Sequence, residues 1–169
     1  MRILFLAVLL GGQCLTIDVS LDMFHGLNQQ LFLSVEQPVD IQESVGIGLT
    51  YTLLDQESAR VTMLMIDPMY RRYIKETTSE GGFYSFGVRA GQAKVEDGET
   101  KEHQLAIKPY YNLGYKGAFN NRWSHLLTVE VGYLMLYTDS INITPMLGLQ
   151  VTPYFAFGYT LDPVKEGEG

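Results

Sequence analysis

Apolar and polar residues alternate with a period of two through most of this chain. In "SVGIGLTYTLL", Val45, Ile47, Leu49, Tyr51 and Leu53 fall on one side, and Gly46, Gly48, Thr50 and Thr52 on the other. Successive side chains of a strand point to opposite faces, so this spacing predicts a strand with one apolar surface. "TIDVSLDM" sets Ile17, Val19, Leu21 and Met23 against Thr16, Asp18, Ser20 and Asp22. "QLFLSVE" sets Leu31, Leu33 and Val35 against Gln30, Phe32, Ser34 and Glu36. Further along, "GFYSFGVRAG" sets Tyr84, Phe86, Val88 and Ala90 against Ser85, Gly87, Arg89 and Gly91.

The same rule divides "HQLAIKPYYNLGY", with Leu105, Ile107, Pro109, Tyr111, Leu113 and Tyr115 opposite Gln104, Ala106, Lys108, Tyr110, Asn112 and Gly114. It divides "WSHLLTVEVGYLMLY", with Leu127, Val129, Val131, Tyr133, Met135 and Tyr137 opposite Ser124, Thr128, Glu130 and Gly132. "PYFAFGYTL" closes the series, with Phe155, Phe157, Tyr159 and Leu161 opposite Tyr154, Ala156, Gly158 and Thr160. Only Ala59 to Ile74 is irregular. There Pro68 follows Asp67, interrupts the ladder and predicts a bulge or bend. Eight strands joined by short polar connections, with no helical period to cover a face, predict an all-β, antiparallel up-and-down barrel.

The polar faces decide which way such a barrel turns. They are rich in Gly, Ser, Thr and Ala, with Asp18, Asp22, Glu36, Arg89, Lys108 and Glu130 as scattered charges. A water-washed exterior would carry about 25–35% charged residues. Small residues with charges of both signs suit a narrow lumen, where each charge needs a partner. The apolar faces then meet lipid, and the barrel is a transmembrane one. Tyr111, Tyr115, Trp123, Tyr137 and Tyr159, with Phe155 and Phe157 beside them, supply lipid-facing aromatic residues of the kind that form interfacial girdles.

Charge supports this reading by exclusion. With 12 basic and 19 acidic residues in 169, the formal charge is −7, and no basic cluster offers a nucleic-acid footprint. The N-terminus is also informative. Arg2 precedes the apolar run Ile3 to Leu10, followed by Gly11 and Gly12, the order of a secretory signal peptide. Residues 1–14 are therefore expected to be a signal peptide, 15–161 the barrel, and 162–169 a polar tail. Cys14 at the boundary could be a lipidation site, but Gln13 stands where such a signal requires a small residue. An unmodified Cys14 is the preferred reading. A single Cys rules out an intrachain disulfide.

The candidate chemistry is sparse. Glu36, Arg89, Lys108 and Glu130 share the lumen parity on four strands, and a paired charge network that plugs the barrel is expected. Ser124, His125 and Glu130 cannot make a catalytic triad on a regular strand, because Ser124 and His125 are adjacent and point oppositely. His125 is instead an interfacial neighbour of Trp123. His25 and His103 lack the spacing of a zinc site, so neither metal nor cofactor is expected. Arg71 and Arg72, beside Tyr70 and Tyr73, suit snorkelling or lumen pairing better than lipid phosphate.

The segments "PMYRRYIKETTSEGGFYSFGVRAG", "YYNLGYKGAFNNRW" and "PYFAFGYTL" resemble the small outer-membrane β-barrel proteins of Gram-negative bacteria, of the eight-stranded OmpA/OmpX-like type. The chain departs from that pattern in the tail "DPVKEGEG", which follows the closing aromatic strand, and in Arg72 and Ile74, which stand where aromatic residues are usual. The resemblance implies an outer-membrane location, contact with outer-membrane lipid, and insertion by the barrel-assembly machinery; it implies neither an activity nor an oligomeric state. The expected role is non-enzymatic, in envelope integrity or in binding lipid or a partner. Two alternatives are a soluble lipocalin-like barrel around an apolar ligand, which lacks its early Gly-x-Trp here, and a lipid-A-modifying hydrolase. With both termini in the periplasm, "HGLN", "LDQES", "EDGETKE" and "TDSINITP" would face outward.

Overall fold

The computed structural model describes residues 16–21, 28–55, 59–75, 80–98, 100–120, 122–136 and 148–160. Residues 1–14, expected to be a signal peptide and containing Cys14, lie outside these residues, as do His25, Tyr137, Leu161, the tail 162–169 and the side chains of 16–21. Eight strands follow one another: β1 (Thr16–Leu21), β2 (Asn28–Pro38), β3 (Glu43–Asp55), β4 (Arg60–Tyr73), β5 (Gly81–Asp97), β6 (Thr100–Ala118), β7 (Trp123–Leu136) and β8 (Gly148–Thr160). Each pairs antiparallel with the next, and β1 pairs with β8 to close the barrel.

The closure is staggered. Moving from partner to partner leads from Thr16 through Glu36, Gly46, Met69, Gly87, Tyr110 and Gly132 to Gln150. Yet β1 closes on β8 at Thr160, ten residues further on. Such a shear tilts the strands by about 35–45° to the axis and leaves an interior that side chains can fill. It also decides which lumen residues meet, because positions level along the ladder are not level along the axis.

The irregular segment is a regular strand. From Val61 to Tyr73, alternate residues are buried and the intervening ones are partly or fully exposed. Asp67 and Pro68 drop out of the ladder with β5, but Ile66↔Ala90 and Met69↔Gly87 on either side keep one register, so the expected bulge is absent. Pro68 has no N–H to give, and the ladder simply skips it. The pattern looked muddled because both faces are apolar here: Leu64 and Ile66 point out while Val61, Met63 and Met65 point in.

The other apolar faces point outward as their parity predicts. Leu33, Leu49, Phe86, Val88, Leu113, Val129 and Val131 are 42–56% exposed, while Ser34, Thr50, Ser85, Asn112 and Thr128 are buried. A soluble lipocalin-like barrel needs the reverse arrangement.

The connections differ at the two ends. The near end carries Thr16, Thr160 and, among the described residues, the connection from β2 to β3 at 39–42. In the β6–β7 turn, Asn120 Oδ1 accepts the amides of Arg122 and Trp123, both at 2.9 Å, which is why an Asn suits that site. At the far end, β5 and β6 run on as a hairpin of 17 and 19 residues, beyond the ~9–11 a bilayer-crossing strand needs. Gly98 at its tip has φ +56°, a conformation that favours Gly.

Gly91 marks the tightest contact in the wall. A Cβ there would lie 2.0 Å from the Leu64 carbonyl oxygen and 2.6 Å from Met65 Cα, both backbone atoms of β4. Gly91→Ala is therefore expected to destabilise the barrel by about 1–3 kcal/mol, the usual cost of overpacking. Denaturant unfolding in micelles would measure it, and an unchanged midpoint would refute the close approach.

Candidate functional site: a layered lumen

Inward-facing residues of β2–β7 form two ionic clusters. At the centre, Arg89 of β5 reaches two acids. Its Nε donates to Asp67 Oδ2 at 2.9 Å, and its Nη1 and Nη2 donate to Glu130 Oε1 and Oε2 at 2.9 and 2.6 Å. The fork-to-carboxylate geometry is the strong, directional form of this pair. Lys108 Nζ lies 2.8 Å from Glu130 Oε1, and Tyr110 donates its hydroxyl to Asp67 Oδ1 at 2.7 Å. The guanidinium carbon also sits 4.5 Å from the Tyr110 ring centroid and 5.4 Å from that of Phe32. Two cations face two anions, so the cluster is internally neutral.

The second cluster lies nearer the chain ends and is built on Glu36 of β2. Its Oε2 accepts from Arg71 Nη1 at 2.5 Å, with Lys116 Nζ 3.6 Å away. Its Oε1 accepts from Ser44 Oγ and, at 3.1 Å, from Tyr73 OH. The Phe83 ring lies 4.4 Å from the Arg71 guanidinium carbon. All these side chains are buried.

Of the four charges singled out from the sequence, Arg89, Lys108 and Glu130 come together, whereas Glu36 belongs to the second cluster. Lumen pairing is among the readings the sequence offers for Arg71, without Glu36 as its partner, while Asp67 and Lys116 escape it. Extending the β6 alternation by one step reaches Lys116. Asp67 is hidden because the Pro68 beside it reads as a break in the pattern. Arg71 is thus lumen-paired, and Arg72 faces outward, 3.7 Å from Glu43.

The far half of the lumen is apolar, which parity alone did not reveal. Leu54, Ala59, Val61, Met63, Met65, Ala93, Val95, Ala106, Leu134 and Leu136 form one buried cluster there.

On the outside, Trp123 meets Tyr159 at 4.9 Å and Phe155 meets Phe157 at 4.7 Å, both edge-on, with Tyr115 nearby on the near half of β6. Tyr111 also faces outward, 6.2 Å from Tyr84, away from either end of β6. His125 packs against Phe119 and Phe155 on the outer face, while Ser124 turns inward and is buried. The two residues of the imagined hydrolase site are therefore separated by the wall itself. Among the described residues no three His, Cys, Asp or Glu side chains gather as a metal site would require.

No family model and no curated protein matches this chain. Solved structures do. The N-terminal β-barrel domain of Pseudomonas aeruginosa OprF matches with a TM-score of 0.62 at 10% identity, over 88% of this chain and 98% of that one. Ail, the attachment invasion locus protein of Yersinia pestis, matches with a TM-score of 0.51 at 11% identity, over 87% and 93%. The fold is that of the small outer-membrane β-barrels. At such identities the likeness extends to the fold and no further, so the lumen must be read from its own residues.

Proposed function

We propose that this chain is a non-enzymatic outer-membrane barrel whose wall crosses the lipid and whose lumen is packed and charge-paired. The observation that carries this reading is the inversion of the fold: large apolar side chains outside, paired charges inside. A soluble domain seldom exposes a contiguous apolar patch beyond a few hundred Å². Here apolar side chains half exposed run round β2 to β8. In lipid such a surface needs no cover, and a closed ladder leaves no edge unpaired.

Export through residues 1–14, insertion by the barrel-assembly machinery and a periplasmic near end belong to the same proposal. So do the roles of Tyr115, Trp123 and Tyr159 as an interfacial girdle at that end, and of Arg89, Lys108 and Glu130 as a static ion-pair network that packs the lumen. The role that follows is envelope integrity, with outer-membrane lipid as the first partner.

The test is sarkosyl-insoluble fractionation, with the protein then run boiled and unboiled in dodecyl sulfate. The expected result is an outer-membrane band whose mobility shifts on boiling. A soluble periplasmic protein with no shift would overturn the proposal.

A further inference from the structure

Between the two ionic clusters lies a ring of unpartnered polar atoms, with Asn112 donating through its Nδ2 to the Tyr154 hydroxyl at 3.1 Å but leaving its Oδ1 unused. Ser34 Oγ, Ser85 Oγ, Asn112 Oδ1 and Thr128 Oγ1 are buried without a hydrogen-bond partner. Their residues are 0–4% exposed and come from β2, β5, β6 and β7. Each lies between the layers along its own strand. Ser34 is the inward position next to Glu36, and Thr128 the one next to Glu130. Ser85 separates Phe83 from Gly87 and Arg89, and Asn112 lies between Tyr110 and Lys116. The stagger of the barrel brings these four positions to a similar height.

Each such group left dry loses the hydrogen bond it would make to water without a replacement. Four in one slice of a narrow lumen is a heavy penalty for a fold to carry, and water relieves it at polar sites. Two more unpartnered hydroxyls, Thr50 and Thr52, continue up β3 and stop where Leu54 begins the apolar cluster, and in that half only Gln104 Oε1, on the residue paired with Ala93, is unpartnered among the described buried side-chain atoms. No hydroxyl in that cluster could hold a water. On the opposite side the way to the near end runs past Glu36, Lys116, Ser44 and Ser124, alongside a smaller apolar cluster of Tyr73, Phe83, Leu126, Tyr154 and Ala156.

We infer that the ring binds a cluster of ordered water that exchanges through the near end, and that the apolar layer of the far half is the barrier to water and ions. The charge pairs then set the shape of the lumen, while Met63, Met65, Leu134 and their neighbours make it impermeable. This inference rests on the membrane-barrel reading above.

The wild-type chain folded in micelles provides the first test. Magnetisation transfer from water, read at assigned amides, should be several-fold stronger at residues 34, 85, 112 and 128 than at 63, 93, 106 and 134. Equal transfer at both sets, or stronger transfer at the second, would overturn the inference. Conductance across planar bilayers provides the second. Wild type and Lys108→Met should be silent, and Met63→Ser combined with Met65→Ser should open discrete ion currents. The gentler pair Ala93→Ser and Ala106→Ser should act in the same direction. Folded cap variants that stay silent, or a conducting Lys108→Met, would place the barrier at the charge pairs instead. A wild type that never enters the bilayer or shows no heat-shifted band would fail the membrane reading itself, a distinguishable result.

Discussion

Glu130→Ala is expected to lower the stability of the barrel by about 3–5 kcal/mol, the range for breaking one partner out of a buried ion pair. Glu130 accepts from both Arg89 terminal nitrogens and from Lys108, so its loss strands two cations at once. Asp67 still holds Arg89 Nε, but Lys108 has no other described carboxylate within salt-bridge distance. The loss would measure the cost of the stranded charges, since whole buried networks can often be exchanged for apolar residues at little cost. Glu130→Gln, which keeps one acceptor, should lose less. Denaturant unfolding in phospholipid or detergent, followed by the heat-shifted band, would give both values. A loss below about 1 kcal/mol for Glu130→Ala would mean that water already carries these charges.

Leu49→Arg should cost about 2–4 kcal/mol, the penalty for Arg on a lipid-facing strand at the bilayer midplane. Leu49 is the middle residue of β3 and is 45% exposed on the outer face. On a soluble barrel the same change would put a charge into water and leave stability almost untouched. The substitution therefore discriminates by its sign and size. Refolding into phospholipid vesicles should fall for Leu49→Arg and not for a charge change on the far-end hairpin, such as Lys101→Glu. Equal behaviour of the two would argue against lipid around β3. Neither effect is large enough to abolish a barrel alone, so both variants should remain measurable.

Which residues face out could be read along the chain because the side-chain period of a strand is fixed at two. Val45 to Leu53, Tyr84 to Ala90 and Leu105 to Tyr115 each kept their side through a whole strand. Where one face is apolar and the other small or charged, the pattern names its own orientation. Pro68 misled because a proline looks the same in a bulge as in a ladder that skips one residue. Met63 and Met65 were unreadable for another reason: with apolar residues on both faces of β4, alternation carries no contrast.

Strand number, sidedness and the inward-facing Glu36, Arg89, Lys108 and Glu130 were thus legible in local chemistry, one residue at a time. Partnership was not. Glu36 and Glu130 are the same residue type on the same face, yet one meets Arg71 and the other Arg89 and Lys108. Only the ten-residue stagger of the closed barrel determines which strand positions reach one another across the lumen. That stagger is a property of the closure between β1 and β8, the strands farthest apart in sequence, and no local pattern encodes it. The layering of ionic clusters beneath an apolar far half follows from the same closure, because it appears only once eight separately legible strands are tilted around one axis.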